Sequence, residues 1–330
     1  MVKISIIVPV YNVAPYLAVC LDSLLPTLHQ DDELLLVQGK SNDGSREISL
    51  HYQAEYSQVI VLNQNKTGLS NARNCGLMAA RGDYVLFIDS DDFVSTANLS
   101  KLLDYIRSEV DFADVWITDY YKHFEASGDD RLIVLVGFQS THELNELSQI
   151  IPSHQCFWNI WKNIYRRMFL VKNKLFFKEN TYAEDADFIT RLLLTEPTIR
   201  TASLPFYHYR VGRIGSLMSD VPLKRVLDTV CVLENSIQQL RDSGLEWTRP
   251  LISGLQFEYL LNLSLLNEVD EAQRRKAQTA YQRCQKILYP TTSFAVMLGN
   301  VGLHLIGMEG MSKLLWLAKY IKRRKEHRTL

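Results

Sequence analysis

The sequence predicts an α/β fold with a mixed, mainly parallel sheet flanked by helices and followed by a helical C-terminal extension. Short apolar runs alternate with helical patterns four times within about ninety residues, which is typical of consecutive β-α-β units. From about residue 222 onward the pattern is helical. Polar clusters follow the predicted strands, and ligands of such sheets bind beyond the carboxyl ends of the strands. A functional site is therefore expected at that edge.

Each element is predicted from local composition and periodicity. Short apolar runs bounded by turn residues indicate buried strands, and apolar residues recurring every three or four positions indicate helices. The first four strands are expected at residues 4–10, 33–37, 59–63 and 84–88, with helices between them, including 46–56 and 70–80. Further strands are expected at 114–118 and 132–136, and further helices around 158–172 and 184–194.

Bulk composition limits the function classes. The net charge of −1 gives no global basic field, which argues against a nucleic-acid partner. The five cysteines form no Cys-x-x-Cys pair, so neither a zinc ribbon nor a disulfide framework is indicated, and a reducing cytoplasmic compartment is expected.

The C-terminal region combines an apolar segment with a basic end. Residues 294–321 are apolar but interrupted by Asn300, His304, Glu309 and Lys313, which favours a pair of surface-lying helices over a membrane-spanning one. The basic end adds attraction to an anionic membrane surface, so peripheral attachment is expected. The alternative is that the segment packs on the protein and the end is only solvated. The basic residues are Lys319, Lys322, Arg323, Arg324, Lys325 and Arg328.

Three carboxylates follow the fourth predicted strand. Asp89, Asp91 and Asp92 repel one another unless positive charge lies between them, and Mg²⁺ or Mn²⁺ suits carboxylate oxygens. Mg²⁺ held by few carboxylates completes its shell with water and substrate phosphates, so the cluster predicts a phosphate-bearing ligand. The alternative is a solvated helix N-terminus capped by Asp91 or Asp92. Chemistry alone leaves both open.

Five stretches between residues 3 and 217 carry distinctive motifs: SIIVPVYNVAPYLAVCLDSLL, SNDGS, GLSNARNCGLMAARGDYVLFIDSDDF, YAEDADF and YHYRVGRIGS. They resemble the family 2 glycosyltransferases with a GT-A fold, which build bacterial capsules and O-antigens. Their order and spacing make the resemblance specific. It implies a catalytic domain over 1–217, with nucleotide-sugar binding in about 1–112 and the acceptor side in about 113–217. Residues 218–330 then form a helical region.

The resemblance implies roles for the residues on the donor side. Asp89-Ser90-Asp91 is the DxD motif, with Asp89 near the ribose, Asp91 as the ligand of Mn²⁺ or Mg²⁺, and Asp92 assisting. The expected donor is a UDP-sugar. Residues expected to contact its nucleotide are Pro9, Tyr11, Gln38 and Arg73. Apart from the resemblance, an unplaced arginine is more often an ion-pair partner, and Tyr11 more often packs in the core.

On the acceptor side the resemblance implies direct displacement with inversion at the anomeric carbon. Asp185 is the expected base for the acceptor hydroxyl, positioned by Glu184, and Asp187 is the nearby competitor. A charged first helical turn explains the same residues without catalysis. The acceptor is expected to be a glycan or a polyprenyl-linked oligosaccharide at the inner face of the cell membrane.

Lesser candidates follow from the same resemblance. His208 is a possible further metal ligand, and Arg210 or Arg213 a possible contact to the phosphates. Trp158 and Trp161 are candidates for stacking on an acceptor sugar, although tryptophan is more often buried.

The sequence departs from the family pattern after the second strand. Two aspartates followed by Gly-Ser are usual there, and the first typically recognises the nucleobase; this chain has Gln38, Gly39, Lys40 and Ser41. The glutamine amide still offers a donor and an acceptor, but the negative charge is lost. Asp43 remains and is expected to cap the next helix. A second departure is Trp-Lys-Asn at 161–163 in place of Trp-Asn-Lys.

Three functions compete on these observations. The first is an active inverting glycosyltransferase, favoured by the joint presence of Asp89, Asp91 and Asp185. The second is a non-catalytic partner or glycan-binding subunit of the same fold, favoured by the lost aspartates. The third, a nucleotidyltransferase, predicts a glycine-rich basic loop after the first strand, and residues 11–15 hold neither glycine nor lysine.

Overall fold

The computed structural model describes residues 3–108, 113–134, 159–212 and 222–326, with side chains described to residue 321. The chain divides into two compact units. Of the described residues, the first unit holds those up to 134 together with 159–180 and 195–211. The second holds 181–194 and the residues from 212 onward, so it includes a short segment that precedes residue 217.

The first unit is built on one sheet. Within the described residues nine strands join in the order β3-β2-β1-β4-β8-β6-β9-β5, with β7 paired to β6. The strands are β1 (Ile4–Val10), β2 (Glu33–Gln38), β3 (Val59–Asn63), β4 (Tyr84–Phe87), β5 (Phe93–Val94), β6 (Val115–Phe124), β7 (Asp129–Ile133), β8 (Asn163–Arg166) and β9 (Ile199–Val211). The first four run parallel, and antiparallel pairing begins at β8, so the predicted mixed sheet is confirmed.

Helices flank this sheet as the alternation predicted. All seven residues of β1 are buried, because it lies between β2 and β4 and is covered on both faces. The four predicted N-terminal strands are confirmed to within one residue. The helices of the first unit are α1 (Ala14–Leu24), α2 (Ser45–Glu55), α3 (Leu69–Ala79), α4 (Thr96–Ser108) and α5 (Arg167–Lys172).

The helix predicted around 158–172 is wrong over part of its length. Residues 163–166 form β8, which pairs antiparallel with both β4 and β6, and only α5 is helical. Ile164 and Tyr165 are fully buried in this central strand, so pairing with two distant strands decides their conformation. The strand predicted at 132–136 is observed as β7, which ends at Ile133.

The second unit is helical, as predicted. Its helices are α6 (Glu184–Leu193), α7 (Leu223–Asp242), α8 (Arg249–Asn262), α9 (Glu271–Cys284) and α10 (Phe294–Glu326). Helix α10 is broken at Gly307, whose φ of 66° and ψ of 176° are not helical, so the predicted pair of helices is confirmed. Over the described residues, Phe294–Ile321 is one stretch whose length and composition would suffice to cross a membrane.

Helix α3 lies very close to β1 at Gly76. A Cβ atom added there would stand 2.3 Å from Cγ2 of Ile7, far inside van der Waals contact. Only glycine lets α3 pack this close to β1 at residue 76, although glycine has a lower helix propensity than other residues.

Replacing Gly76 with alanine should destabilise the protein. Alanine gains about 1 kcal/mol of helix propensity, but overpacking of the buried contact with Ile7 costs about 1–3 kcal/mol. We expect a net loss of up to about 2 kcal/mol in the free energy of unfolding, measured by urea denaturation. The exposed Met78→Ala on the same helix serves as control and should change it by less than about 0.5 kcal/mol. A more stable Gly76→Ala protein would contradict the close contact.

Candidate active site

The predicted site residues of the first unit lie at one edge of the sheet. Tyr11 follows β1, Gln38 ends β2, and Asp89 comes shortly after β4, and these three strands are adjacent and parallel. Residues 89–92 form a turn in which the N–H of Asp92 donates to the carbonyl of Asp89 at 3.0 Å. The edge is where the strand pattern had placed a ligand site.

A buried carboxyl holds this turn in place. Asp92 accepts hydrogen bonds from the Tyr207 hydroxyl at 2.6 Å and from the Arg210 backbone N–H at 2.7 Å. The same hydroxyl accepts from the N–H of Asp89 at 3.3 Å. Burial first, and then the charges of Asp91 and Asp89, raise the pKa of Asp92 well above its usual range. Both oxygens of Asp92 are thus engaged, which fits an anchoring role better than that of a metal ligand.

Arg73 also contacts the turn. Its Nη2 lies 3.0 Å from Oδ1 of Asp89, and the side chain is only 2% exposed. The guanidinium lies over the ring of Phe177 at 5.3 Å. The Asn74 side chain holds the backbone of Phe177 in place. It accepts a hydrogen bond from the Phe177 N–H and donates one to the Phe177 carbonyl, each at 2.8 Å. Arg73 is therefore part of the site, contacting Asp89 directly, as an ion-pair partner.

The carboxylates suit a cation that shares its shell with a substrate. In the described part of the chain, no group of three or more His, Cys, Asp or Glu side chains is arranged to hold a metal alone. Asp89 and Asp91 are half-buried, and their negative charges raise the pKa of neighbouring Asp92 after the effect of burial itself. A divalent cation would relieve that repulsion, and phosphates and water would complete its coordination. These residues therefore fit the expected Mg²⁺ or Mn²⁺.

The space beside Tyr11 is shaped by the absence of a side chain at Gly39. Tyr11 is 61% exposed, so the core-packing alternative does not hold, whereas Pro9 is buried within β1. A Cβ atom at Gly39 would lie 3.1 Å from Cδ2 of Tyr11 and 3.2 Å from the carbonyl of Val10. The loop after β2, where the resembled family usually has aspartates, therefore presents only backbone atoms to the Tyr11 ring.

The Gln38 side chain is committed to the fold. It is buried, and its Nε2 donates to the Ser41 hydroxyl at 3.0 Å and to the Gly39 carbonyl at 3.3 Å. Its Oε1 accepts from the Ser49 hydroxyl at 3.1 Å. The hydrogen bonds of Ser41 and Ser49 to Gln38 were not predicted from the sequence, because serines in a turn and on a helix give no distinctive signal. The amide that was expected to contact a base is satisfied internally.

Asp43 ties two loops of this edge together. One oxygen accepts from the N–H of Ser45 at 3.1 Å at the start of α2, and the other accepts from the N–H of Ala14 at 2.9 Å at the start of α1. Burial raises its pKa, but the hydrogen bonds from Ser45 and Ala14 outweigh that effect and leave the pKa lowered. Asp43 thus serves the first turns of two helices, and Gly44 occupies the N-cap position of α2.

The acidic pair Glu184 and Asp185 belongs to the second unit. Both lie half-buried in the first turn of α6, after Ala183, which has a left-handed φ of 60°. Asp187, the competitor, is held in the same helix by Arg191, whose Nη2 lies 2.7 Å from its Oδ2. Asp187 is therefore ion-paired within its own helix.

The remaining candidates are engaged in packing. His208 stacks between Phe93 and Tyr121, with ring centroids 4.6 and 4.8 Å away, which favours the structural role over metal ligation. Arg210 Nη1 lies 2.6 Å from Glu125, and its guanidinium lies over the Phe93 ring at 4.8 Å. Arg213 and Trp158 fall outside the described residues.

Stacking of Trp161 on an acceptor sugar is contradicted by its surroundings. The side chain is 4% exposed, and its ring is stacked with Tyr207 and Tyr209 at centroid distances of 4.2 and 5.4 Å. Tyr207, which also anchors Asp92, is the functional residue that the sequence reasoning missed. The only signal for it was its place in the YHYRVGRIGS stretch.

Comparisons with known proteins give the family to which this chain belongs. The family model described as glycosyl transferase family 2 matches residues 5–175. The uncharacterized glycosyltransferase EpsJ of Bacillus subtilis is 32% identical over 68% of this chain, and the match spans 65% of that protein. Glycosyltransferase GlyG of Streptococcus pneumoniae is 31% identical over 74% of this chain and 82% of its own length.

A solved structure supports the fold over nearly the whole chain. Residues 1–349 of TarS from S. aureus, in complex with UDP-GlcNAc, superpose with a TM-score of 0.70 at 19% identity, covering 97% of this chain and 92% of that one. The family match and the superposition together define a glycosyltransferase with a GT-A fold. The chain belongs to glycosyl transferase family 2.

His208 should make the protein sensitive to acid. Burial lowers its pKa, partly opposed by the contact with Asp130, so the folded state holds the ring neutral more strongly than the unfolded state does. The stabilisation that the neutral His208 ring provides is therefore fully present above the unfolded-state pKa of about 6.5, and it is lost as the pH falls below that value. Urea denaturation at about pH 7.5 and pH 5.5 should show a smaller acid loss for His208→Phe than for the wild type. Equal losses would refute this role.

Proposed function

We propose that this protein is an inverting glycosyltransferase that moves a sugar from a nucleotide-diphospho-sugar to a hydroxyl of a glycan or lipid-linked oligosaccharide. The observation that carries the proposal is the turn at residues 89–92. It presents Asp89 and Asp91 at the carboxyl edge of the sheet while Asp92 is buried beneath them. Membership of family 2 supports glycosyl transfer, and the resemblance supports inversion.

On the donor side, Asp89 and Asp91 would hold Mn²⁺ or Mg²⁺. When bound, the cation would stabilise the negative charge that develops on the leaving nucleoside diphosphate. Arg73 keeps Asp89 in one orientation through its 3.0 Å contact. Tyr207 and Asp92 fix the turn from below, so the carboxylates are preorganised before the donor binds. The complex of TarS with UDP-GlcNAc supports a UDP-sugar donor here.

The nucleobase would lie against Tyr11. With Gln38 engaged internally and no side chain at Gly39, the base meets an exposed aromatic ring and backbone groups in place of a carboxylate. Stacking on a ring tolerates different bases, since every base has a flat aromatic face. We therefore propose weaker discrimination among nucleobases than a carboxylate contact would give.

On the acceptor side, Asp185 would take the proton from the acceptor hydroxyl as the displacement proceeds, with Glu184 positioning it. A polyprenyl-linked acceptor would place the enzyme in the cytoplasm, at the inner face of the cell membrane. Surface polysaccharide synthesis of bacteria fits this combination of donor and acceptor.

One observation favours a second function. The base-contacting position lacks a carboxylate and the Gln38 amide is buried, which a non-catalytic partner or glycan-binding subunit of a glycosyltransferase complex would tolerate. We rank it second, because the carboxylate turn and the acidic pair on α6 are both present.

Donor binding tests the metal site. Calorimetric titration with UDP-, GDP- and dTDP-sugars in the presence of Mn²⁺ should show metal-dependent binding, with affinities within about tenfold of one another if stacking dominates. Asp91→Asn should weaken metal-dependent binding by at least about tenfold, because it removes a charged metal ligand. The control Asp31→Asn changes an exposed carboxylate away from the site. Absence of binding by the folded wild type would favour the non-catalytic function.

Substitution of the base should separate chemistry from binding. Asp185→Asn should lower kcat by about 10²- to 10⁴-fold with donor affinity unchanged, because a general base acts only in the chemical step. Asp187→Asn is the matched control on the same helix turn and should lower kcat far less. Transfer of the radiolabelled sugar to a lipid extract measures the rate. If both variants lose activity equally, Asp185 is not the base.

A further inference from the structure

Each of the two halves of α10 exposes an apolar stripe to solvent. In the first half Phe294, Leu298, Val301 and Leu305 recur every three or four residues, and their exposed fractions run from 53% to 78%. This spacing puts them in one stripe along the helix. Exposed apolar side chains scattered singly are ordinary, but a continuous stripe of large ones marks an interaction surface.

The second half continues the same character. Leu314, Leu317 and Ile321 form another stripe, each close to half exposed. Beside it Trp316 and Tyr320 stack with ring centroids 5.5 Å apart, and both remain exposed to solvent. We call these two stripes and the aromatic pair the outer face of α10. Tryptophan and tyrosine are the side chains that concentrate at membrane–water interfaces.

The opposite side of α10 is fastened to the second unit. Val296 and Leu303 are buried, and a Cβ atom at Gly299 would lie 2.4 Å from Leu260 of α8. In the second half Ser312 accepts from the Asn267 amide at 2.5 Å, and Lys319 contacts Glu268 at 2.9 Å. The outer face therefore belongs to two helices whose opposite sides are packed against the rest of the second unit.

This packing argues against a helix that spans a membrane. The break at Gly307 leaves a first half that is roughly 20 Å long at 1.5 Å per residue, whereas a bilayer core is about 30 Å thick. A spanning helix also needs apolar contact all round, and one side of α10 carries Asn300 and Ser312 packed against protein. A helix with one apolar face and one fastened face lies in the plane of the membrane surface.

We propose that the outer face of α10 docks this protein on a lipid bilayer rich in anionic headgroups. The charge near this face favours a membrane over other partners. The second stripe is followed directly, at the end of α10, by four basic residues: Lys322, Arg323, Arg324 and Lys325. Anionic lipids attract such a cluster. In a symmetric dimer joined through this face, the described side chains of the outer face would offer the cluster no acidic partner, since all of them are apolar or aromatic. The inference goes beyond glycosyl transfer and holds whether or not the enzyme is active.

Vesicle sedimentation of the full chain tests the docking. The protein should pellet with vesicles of phosphatidylcholine mixed with phosphatidylglycerol, bind pure phosphatidylcholine several-fold less, and dissociate as salt is raised. The double substitution Leu298→Glu with Leu305→Glu should reduce binding at least about tenfold, because it places two charges in the apolar stripe. Both positions are exposed, so folding should persist, and thermal unfolding checks this.

Two comparisons make the test decisive. Met168→Glu changes an apolar residue of the first unit that is about as exposed as Leu298, and this variant should bind vesicles like the wild type. The Asp91→Asn variant should also bind, which separates docking from donor binding. The proposal is overturned if the wild type stays in the supernatant or if the double variant binds undiminished. It is equally overturned if analytical ultracentrifugation shows a dimer that the double variant abolishes while vesicles recruit neither protein.

Discussion

The buried carboxyl of Asp92 is the constraint on which the donor edge depends. A carboxyl group removed from water must find hydrogen-bond donors, and Asp92 finds them in the Tyr207 hydroxyl and the Arg210 backbone, both on β9. The turn after β4 is thereby tied to a strand more than a hundred residues later in the chain. Because Asp89 and Asp91 belong to the same short turn, their positions follow from that of Asp92.

A second buried charge also holds the turn. Arg73 is enclosed by α3 and the Phe177 ring, and it directs its guanidinium to Asp89. Asn74 secures the backbone that carries this ring, so the stretch around residues 70–74 serves the site through packing as much as through any ligand contact. Such support holds catalytic groups in place before a substrate arrives, which reduces the reorganisation that binding would otherwise require.

The base-binding edge follows a different design. The Gln38 amide forms hydrogen bonds with the hydroxyl groups of Ser41 and Ser49. The next residue, Gly39, has no side chain, so the exposed Tyr11 ring lies beside backbone atoms. Specific recognition of a base needs a directed hydrogen-bonding group, whereas a ring supplies area with little selectivity. We therefore propose that the chain combines an anchored carboxylate turn with a base subsite of low chemical specificity.

The sequence by itself determined the parallel core of the sheet, because strands buried on both faces read as unbroken apolar runs and their ends carry the polar residues. It also determined the interruption of α10, since polar residues and glycine break the apolar run wherever it folds. Only the tertiary structure decided the central strand β8, whose conformation comes from pairing with β4 and β6. Only the tertiary structure distinguished the three aspartates at residues 89–92, because neighbouring carboxylates look alike in sequence, and burial together with the hydrogen bond from Tyr207 sets Asp92 apart. The same holds for Gln38 and Trp161, whose partners lie elsewhere in the chain: local pattern reports which side chains seek burial, and only the fold supplies the groups that meet them.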